Sequence, residues 1–568
     1  MASKNISFDQ IPSSIRKPGK YFEFNTKLAV RTLPNNKQRM LIAGQRLKTF
    51  VEPARFQGGT KNDCTSGGAY TGSAKKEFRV KISTAGATDQ FQYSTDGGKT
   101  WATATNITGT AQTLSDGVTV TFAATTGHAV GDEWHFSAWP EPTVAALTPT
   151  QVFSDVEAAE KFGYGSIIHL MAKAAMNANL YLDLSICALN DADTGVVSAG
   201  AVTISGTSTT SGSLKVYIGN KKVEIGITSG SAASAIAISL QNEMAKYPDL
   251  PVTAAVDGTT AGKVNIKAKN KGTMGDQIDI SYELTASGVT ATITAMTGGA
   301  TDPNVNDAMA KVFSEHYHII ATPYNDQTSL TTLRTHLDNV SGPMEQRGAV
   351  GVYGYDGALA SATTLAAAIN HGRTLGAYLR GTRSISYEIA SAMAAVMAFE
   401  EDPAMPLNTL ELKNIHAPAI DQRLSRIEQE SCLYNGDTPL EVGPGEKVQI
   451  VRAISTYIKD AQGIEDISLL DITTIRILDY VRKACRERIS LRFPREKLSS
   501  KTPPKVRTEI LDVLYKLEEL EIVENVSANQ DGVIVERDLQ DPNRLNAKIP
   551  VDVVNGLHVF AGRIDLLL

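Results

Sequence analysis

The hydrophobic period of this chain changes repeatedly along its length, and that change limits its architecture more than any single motif. From HIIAT (His318–Thr322) and AVGVYG (Ala349–Gly354), short apolar runs of buried-strand type alternate with helix-period segments. These lie at about Gln327–Ser341, Leu359–His371 and across YEIASAMAAVMAFEE. Alternation of this kind predicts a largely parallel sheet with helices on both faces. Two stretches break the pattern. From about Phe56 to Trp139, EFRVKIS, QFQYS, VTVTF and EWHFSA follow the two-residue period of half-buried strands, with Gly- and Asp-containing turns between them. From about Ala199 to Thr301, six further strand-like runs surround one Ala-rich helical stretch, SAASAIAISLQNEMAKY.

The fold expected is therefore an α/β core, three-layer with a mixed sheet, carrying two inserted β-rich domains and an α+β C-terminal region. The boundaries read from composition are 1–54 (N-terminal arm and start of the core), 55–140 (a β-sandwich-like insertion), 141–195 (core), 196–302 (second insertion), 303–470 (α/β core) and 471–568 (C-terminal domain). Grafting a domain into a surface loop adds little loop-closure entropy, so such interruption is physically inexpensive.

Composition excludes several classes. Hydrophobic residues at 42% and charged residues at 20% are a globular balance, and 55 Lys and Arg against 61 Asp and Glu give −6, the wrong sign for coating nucleic acid. No apolar run reaches the roughly 18 residues of a membrane span, and MASKNISFDQIP has no signal-peptide core. Cys64, Cys187, Cys432 and Cys485 have no paired spacing, which argues against a disulfide scaffold or thiolate zinc site and fits a reducing compartment. A large, soluble protein made inside a cell is the expectation.

Near the C-terminus, Asp471 is placed to cap a long helix with Ile472, Ile475, Leu478, Val481, Cys485 and Ile489 on one stripe. Its other face is basic: between Arg476 and Arg507 there are eleven Lys or Arg against three acids, while between Glu509 and Asp541 ten acids face two bases. Either the two stretches neutralise each other within a subunit, or the basic face meets a repeated acidic partner. The chain closes in strand-like runs, EIVENVSA, VIVERDL, AKIPVDVV and GLHVFAGRIDLLL, and opens with another, YFEFNTKLAV. From composition alone, both ends are more simply read as completing the subunit's own sheet. Exchange with neighbouring copies is the alternative.

The motifs that could carry chemistry have structural explanations. YSTDGGKTW (Tyr93–Trp101) fits the Asp-box hairpin, in which the Asp folds onto the turn and the Trp packs beneath it. No G-x-S-x-G is present, and Gly206-Thr207-Ser208 lacks the helix a subtilisin-type nucleophile needs. His316 and His318 alternate in direction on a strand entry, His371 and His416 stand alone, and Gly443–Lys447 is not a phosphate loop. No catalytic residue, metal site or cofactor is expected, and the chain is read as a non-enzyme.

Four segments, IPSSIRKPGKYFEFNTKLAV, YEIASAMAAVMAFEEDPAMPLNTLELKNI, LEVGPGEKVQIVRAISTYIKDAQG and DITTIRILDYVRKACRERI, together and in this order resemble tail sheath proteins of contractile-tailed bacteriophages of the Mu-like type. The resemblance implies a structural subunit that polymerises as stacked hexameric rings around a tail tube. The sheath contracts to drive the tube through the host cell envelope. It implies self-association by strand exchange, with Tyr21, Phe22, Phe24, Val559, Phe560, Ile564 and Leu566 in the exchanged strands, which reverses the composition-based preference above. It also implies tube-facing Arg482, Lys483 and Arg486, and baseplate and tail-terminator partners, without nucleic acid or membrane insertion. Assembly in the host cytoplasm and residence in the virion follow by the same resemblance. A sheath of a phage-derived bacteriocin or injection system is the nearest alternative; a glycan-binding tail surface protein built around the Asp box, or a serine hydrolase, is further off.

Overall fold

A computed structural model describes residues 14, 17, 19–20, 33–34 and 36–567. The chain is a mixed α/β protein with several sheets. It divides into two compact units, one formed by Lys37–Arg476 with the residues from Gly556 on, the other by Ile477–Asn555 with described residues before Lys37.

The larger unit is organised by an eight-stranded sheet of β1 (Arg39–Gln45), β2 (Thr150–Val152), β3 (Asp183–Leu189), β4 (Ile319–Ala321), β5 (Val350–Tyr355), β6 (Thr374–Tyr378), β7 (Asp437–Gly443) and β8 (Lys447–Ile450), in the order β2-β3-β1-β4-β5-β6-β7-β8. The inner pairs are parallel and only the two outermost, β2–β3 and β7–β8, are antiparallel. Continuous apolar runs suit strands buried on both sides. In β1, Met40, Leu41, Ile42 and Ala43 have no exposed surface.

The helices of this unit are α1 (Asp155–Phe162), α2 (Ile167–Ala178), α3 (Ala233–Met244) and α4 (Val305–Val312), then α5 (Gln327–Ser341), α6 (Leu359–Ile369), α7 (Ser386–Phe399) and α8 (Arg426–Tyr434). Side-chain caps start several of them: Asp326 accepts from the Ser329 N–H, and Ser425 with Glu428 forms a reciprocal capping box. Gly351 and Gly354 of β5 lie three residues apart and so point to opposite faces. A Cβ on Gly351 would press on Leu333 and Leu337 of α5, and one on Gly354 would overlap the Ser386 carbonyl of α7. Helices thus cover both faces of the sheet.

Between β1 and β2, two antiparallel sheets enclose an aromatic core of Phe78, Phe91, Phe122, Trp134 and Phe136. The strand Lys76–Thr84 alternates as its sequence does, burying Phe78, Val80 and Ile82. His128 is buried with Nδ1 2.9 Å from Asp89 Oδ2 and Nε2 2.8 Å from Asp63 Oδ1. Asp96 accepts from the backbone N–H groups of Lys99 and Thr100, closing the Asp-box turn.

Between β3 and α4, a four-stranded and a three-stranded sheet are joined by α3, whose Ile236, Leu240 and Met244 are buried. Amides tie this region to the first: Gln57 and Asn242 exchange two hydrogen bonds at 3.1 and 2.8 Å. They also tie it to the core, where Asn220 donates to Ser384 and Glu388.

The smaller unit contains residues from Ile477 to the end of α9 (Ile472–Arg492), α10 (Thr502–Glu519), and the hairpin Ile534–Arg537/Leu545–Lys548. Pro503 and Pro504 sit in the first turn of α10, where a missing N–H costs no intrahelical bond. Two readings from the sequence change here. EIVENVSA supplies only the two-residue strand Val523–Glu524, because Asn525 takes a left-handed φ of 56° and starts the short helix Val526–Asn529. The buried stripe of α9 is wider than Ile472–Ile489 spacing suggested, and includes Ile477, Tyr480, Ala484 and Arg488.

Candidate assembly surfaces

The C-terminal arm leaves the protein at a fixed point. Gly556 lies against Pro406, and His558 Nδ1 accepts a hydrogen bond from Asn408 Nδ2 at 3.0 Å. Its Nε2 stands 3.5 Å from Asp471 Oδ1, while the Asp471 carboxylate takes Arg452 Nε at 2.8 Å and Nη2 at 2.7 Å. Burial, with Arg452 beside it, holds the His558 imidazole below its usual pKa against the opposing pull of Asp471.

Beyond this anchor the arm is exposed. Val559 is 78% exposed, Phe560 88%, Ile564 99% and Leu566 83%, and none of Leu557–Leu567 forms a strand in the single chain. A strand needs a partner edge, and this run pairs with none among the described residues. An apolar run left this open is an interaction surface. The corresponding residues at the other end, Tyr21, Phe22 and Phe24, lie outside the described residues.

On α9, Arg486 is exposed, whereas Arg482 and Lys483 are half-buried, with Arg482 Nη2 on Asp479 Oδ1 at 2.8 Å. The residue that sequence reasoning missed is Arg488. It is buried, with Nη1 3.0 Å from Glu509 Oε2 and Nη2 2.7 Å from Asp512 Oδ2. Arg492 Nε reaches the same Glu509 at 3.5 Å. The basic and acidic stretches therefore meet within this unit at these residues. Its signal was readable: Arg488 continues the apolar positions Val481, Ala484 and Cys485 at helical spacing. Arg476 is also buried, with Nη2 on the Glu400 carbonyl.

The candidate side chains for chemistry are engaged in the fold. His318 Nδ1 accepts from the Arg39 N–H at 3.1 Å, and the His316 and His318 rings lie 4.0 Å apart. His371 sits between Thr374 Oγ1 at 2.8 Å and Asp338 Oδ1 at 3.0 Å. Ser208 Oγ donates to the Thr228 carbonyl at 2.6 Å. The four cysteines are buried and unpaired, and burial pushes the Cys432 thiol up to about 12. Among the described residues there is no metal-binding group of His, Cys, Asp or Glu, and no helix long and apolar enough to cross a membrane.

Two family models match the chain: the phage tail sheath protein central domain over residues 298–456 and the phage tail sheath C-terminal domain over residues 465–566. The Mu-like prophage FluMu tail sheath protein of Haemophilus influenzae is 32% identical over 436 residues, covering 74% of this chain and 89% of that protein. The chain belongs to the phage tail sheath family. Crystal structures of sheath tail proteins are also similar to this sheath subunit. That from Desulfitobacterium hafniense has 13% identity and a TM-score of 0.43, covering 73% of this chain and 91% of the other. That from Listeria innocua has 14% identity and a TM-score of 0.41, covering 73% and 90%. Tail sheath proteins are structural components of phage-like contractile tails and not catalysts, and this sheath subunit is one of them.

Proposed function

We propose that the sheath subunit polymerises as stacked hexameric rings around a tail tube and shortens to drive the tube through a host envelope. The copies are joined by the exchange of terminal strands. In this reading the core is a three-layer α/β domain, the regions 55–140 and 196–302 are insertions outside it, and the particle is assembled in the host cytoplasm as part of the virion. Baseplate and tail-terminator proteins bound the stack, and Arg482, Lys483 and Arg486 face the tube.

The observation that carries this is the C-terminal arm: an anchored root followed by Val559, Phe560, Ile564 and Leu566, all more than three-quarters exposed. Covering one such side chain is worth about 1.5–3 kcal/mol, and each backbone bond made to a neighbour's edge adds about 0.5–1.5 kcal/mol. Several of each hold two copies together while the rest of each subunit moves. Contraction then needs only a small free-energy difference per subunit between two lattices, repeated over many copies, with no nucleotide.

The test is deletion of everything after His558. Electron microscopy of the purified full-length chain is expected to find tubes or rings, and of the truncated chain only monomers. Tubes of normal length from the truncated protein would remove the strand-exchange reading.

A further inference from the structure

A cleft of about 850 Å³ opens where the first β-rich region, the second β-rich region and the end of β1 come together. Its size and its place at a junction of sheets are those of a small-ligand site. Part of the floor is apolar, with Phe50, Val51 and Ala255 on it.

The polar lining divides sharply into engaged and available groups. Two of its lysines are committed to the fold: Lys269 Nζ donates to the carbonyls of Tyr164 at 3.0 Å and Pro248 at 2.7 Å, and Lys271 Nζ to that of Asp193 at 3.2 Å. The carboxylate of Asp191 is likewise filled, by Gln45 Nε2 at 2.8 Å, Asn270 Nδ2 at 2.9 Å and the Lys271 N–H at 3.1 Å. Lys48 and Lys267 are exposed on the lining and enter no ion pair among the described residues.

The hydroxyls are directed in one sense. Ser66 Oγ donates to the Glu52 carbonyl at 2.6 Å, Thr65 Oγ1 to the Thr121 carbonyl at 3.2 Å, and Thr49 Oγ1 to Glu141 Oε2 at 3.1 Å. With their protons spent inward, they offer a ligand only lone pairs. The cleft thus presents two cations beside a set of acceptors and one aromatic ring.

We infer that this cleft binds an acidic saccharide, with Lys48 and Lys267 on its carboxylate, the oxygens of Thr49, Thr65 and Ser66 accepting from its hydroxyls, and Phe50 against a sugar face. A phosphate polymer fits less well, because its oxygens bring acceptors to the acceptors of Thr49, Thr65 and Ser66, where a sugar brings hydroxyl donors. The inference goes beyond the sheath reading and does not depend on it.

The test is isothermal titration of the full-length protein at low salt with hexamers of galacturonate and of hyaluronan, with maltohexaose and a single-stranded oligonucleotide as comparisons. At least one acidic hexamer is expected to bind tenfold more tightly than maltohexaose and more tightly than the oligonucleotide. Lys48→Glu and Lys267→Glu should each weaken it at least tenfold, Lys267→Arg should restore binding, and Ala255→Trp should abolish it by filling the floor. Both lysines are exposed, so unchanged near-ultraviolet circular dichroism is the check on folding. Failure of both acidic hexamers to bind, tighter binding of the oligonucleotide, or an affinity unmoved by either charge reversal would overturn the inference.

Discussion

His558 accepts a hydrogen bond from Asn408 across 150 residues of sequence, and this contact fixes the root of a tail whose next residues touch nothing comparable. Leu557 before His558 and Val559 after it are both largely exposed, so the hold on this stretch is the His558 side chain. Whatever pulls on the arm therefore pulls first on the imidazole and on Asp471 behind it.

That contact should depend on pH. The folded environment lowers the His558 pKa from its usual 6.5, mainly through burial and then through Arg452. A base whose folded pKa is depressed contributes stability above its unfolded pKa, and the contribution is lost as pH falls. NMR titration of the His558 ring is expected to give a pKa below 6.5, and Asn408→Ala, which removes the hydrogen bond to Nδ1, should bring it back toward 6.5.

Asp437 should give the opposite slope. It is fully buried on β7 with neither carboxylate oxygen partnered among the described residues, and burial raises its pKa to about 8. A raised folded pKa means stability present at low pH and lost as pH rises from about 4 through 8, at up to about 1.4 kcal/mol per pH unit. Denaturant unfolding of Asp437→Asn at pH 5 and pH 8 should show this part of the slope removed; an unchanged slope would contradict the assignment.

Gly354→Ala tests the packing of α7 on β5. The added Cβ would overlap the Ser386 carbonyl, a backbone group that cannot rotate away. Overpacking of this kind costs about 3 kcal/mol, and calorimetry should find a lowered Tm for the larger unit. Substitution at Gly226, where nothing lies within 4 Å of an added Cβ, should change little.

Arg488→Ala and Arg486→Ala separate structure from surface. Removing Arg488 empties a buried position and takes one partner from Glu509, which keeps Arg492 at 3.5 Å, and one from Asp512, which keeps Lys516 at 2.7 Å, and is expected to cost about 1–2 kcal/mol. Exposed Arg486 should change stability by less than about 0.5 kcal/mol. Charge reversal at Arg486 should instead weaken co-sedimentation with tail tubes, if that face meets the tube.

The mixed α/β class was legible because its signals are local. The alternation in Lys76–Thr84 needs only its own residues, as do the apolar run of β1 and the Asp-box turn. What escaped was set by something other than the periodicity of the run. The spacing puts Arg488 on the apolar stripe of α9, but does not show that Glu509 and Asp512 arrive from α10 to pair with it. The β-branched run around Val523 reads as a strand until Asn525 turns the backbone left-handed, since turn chemistry outweighs propensity there. GLHVFAGRIDLLL has a strand's composition but forms no strand from Leu557 to Leu567, since composition does not supply the edge a strand pairs with among the described residues.

The glycines of β5 also have a mechanical meaning. Where side chains separate a helix from a sheet, rotamer hops let the layers creep past each other under load. At Gly354 the spacing is instead set by main-chain atoms in direct contact, which leaves no soft material between them. Such a plate resists shear and hands an applied force on undiminished from helix to sheet.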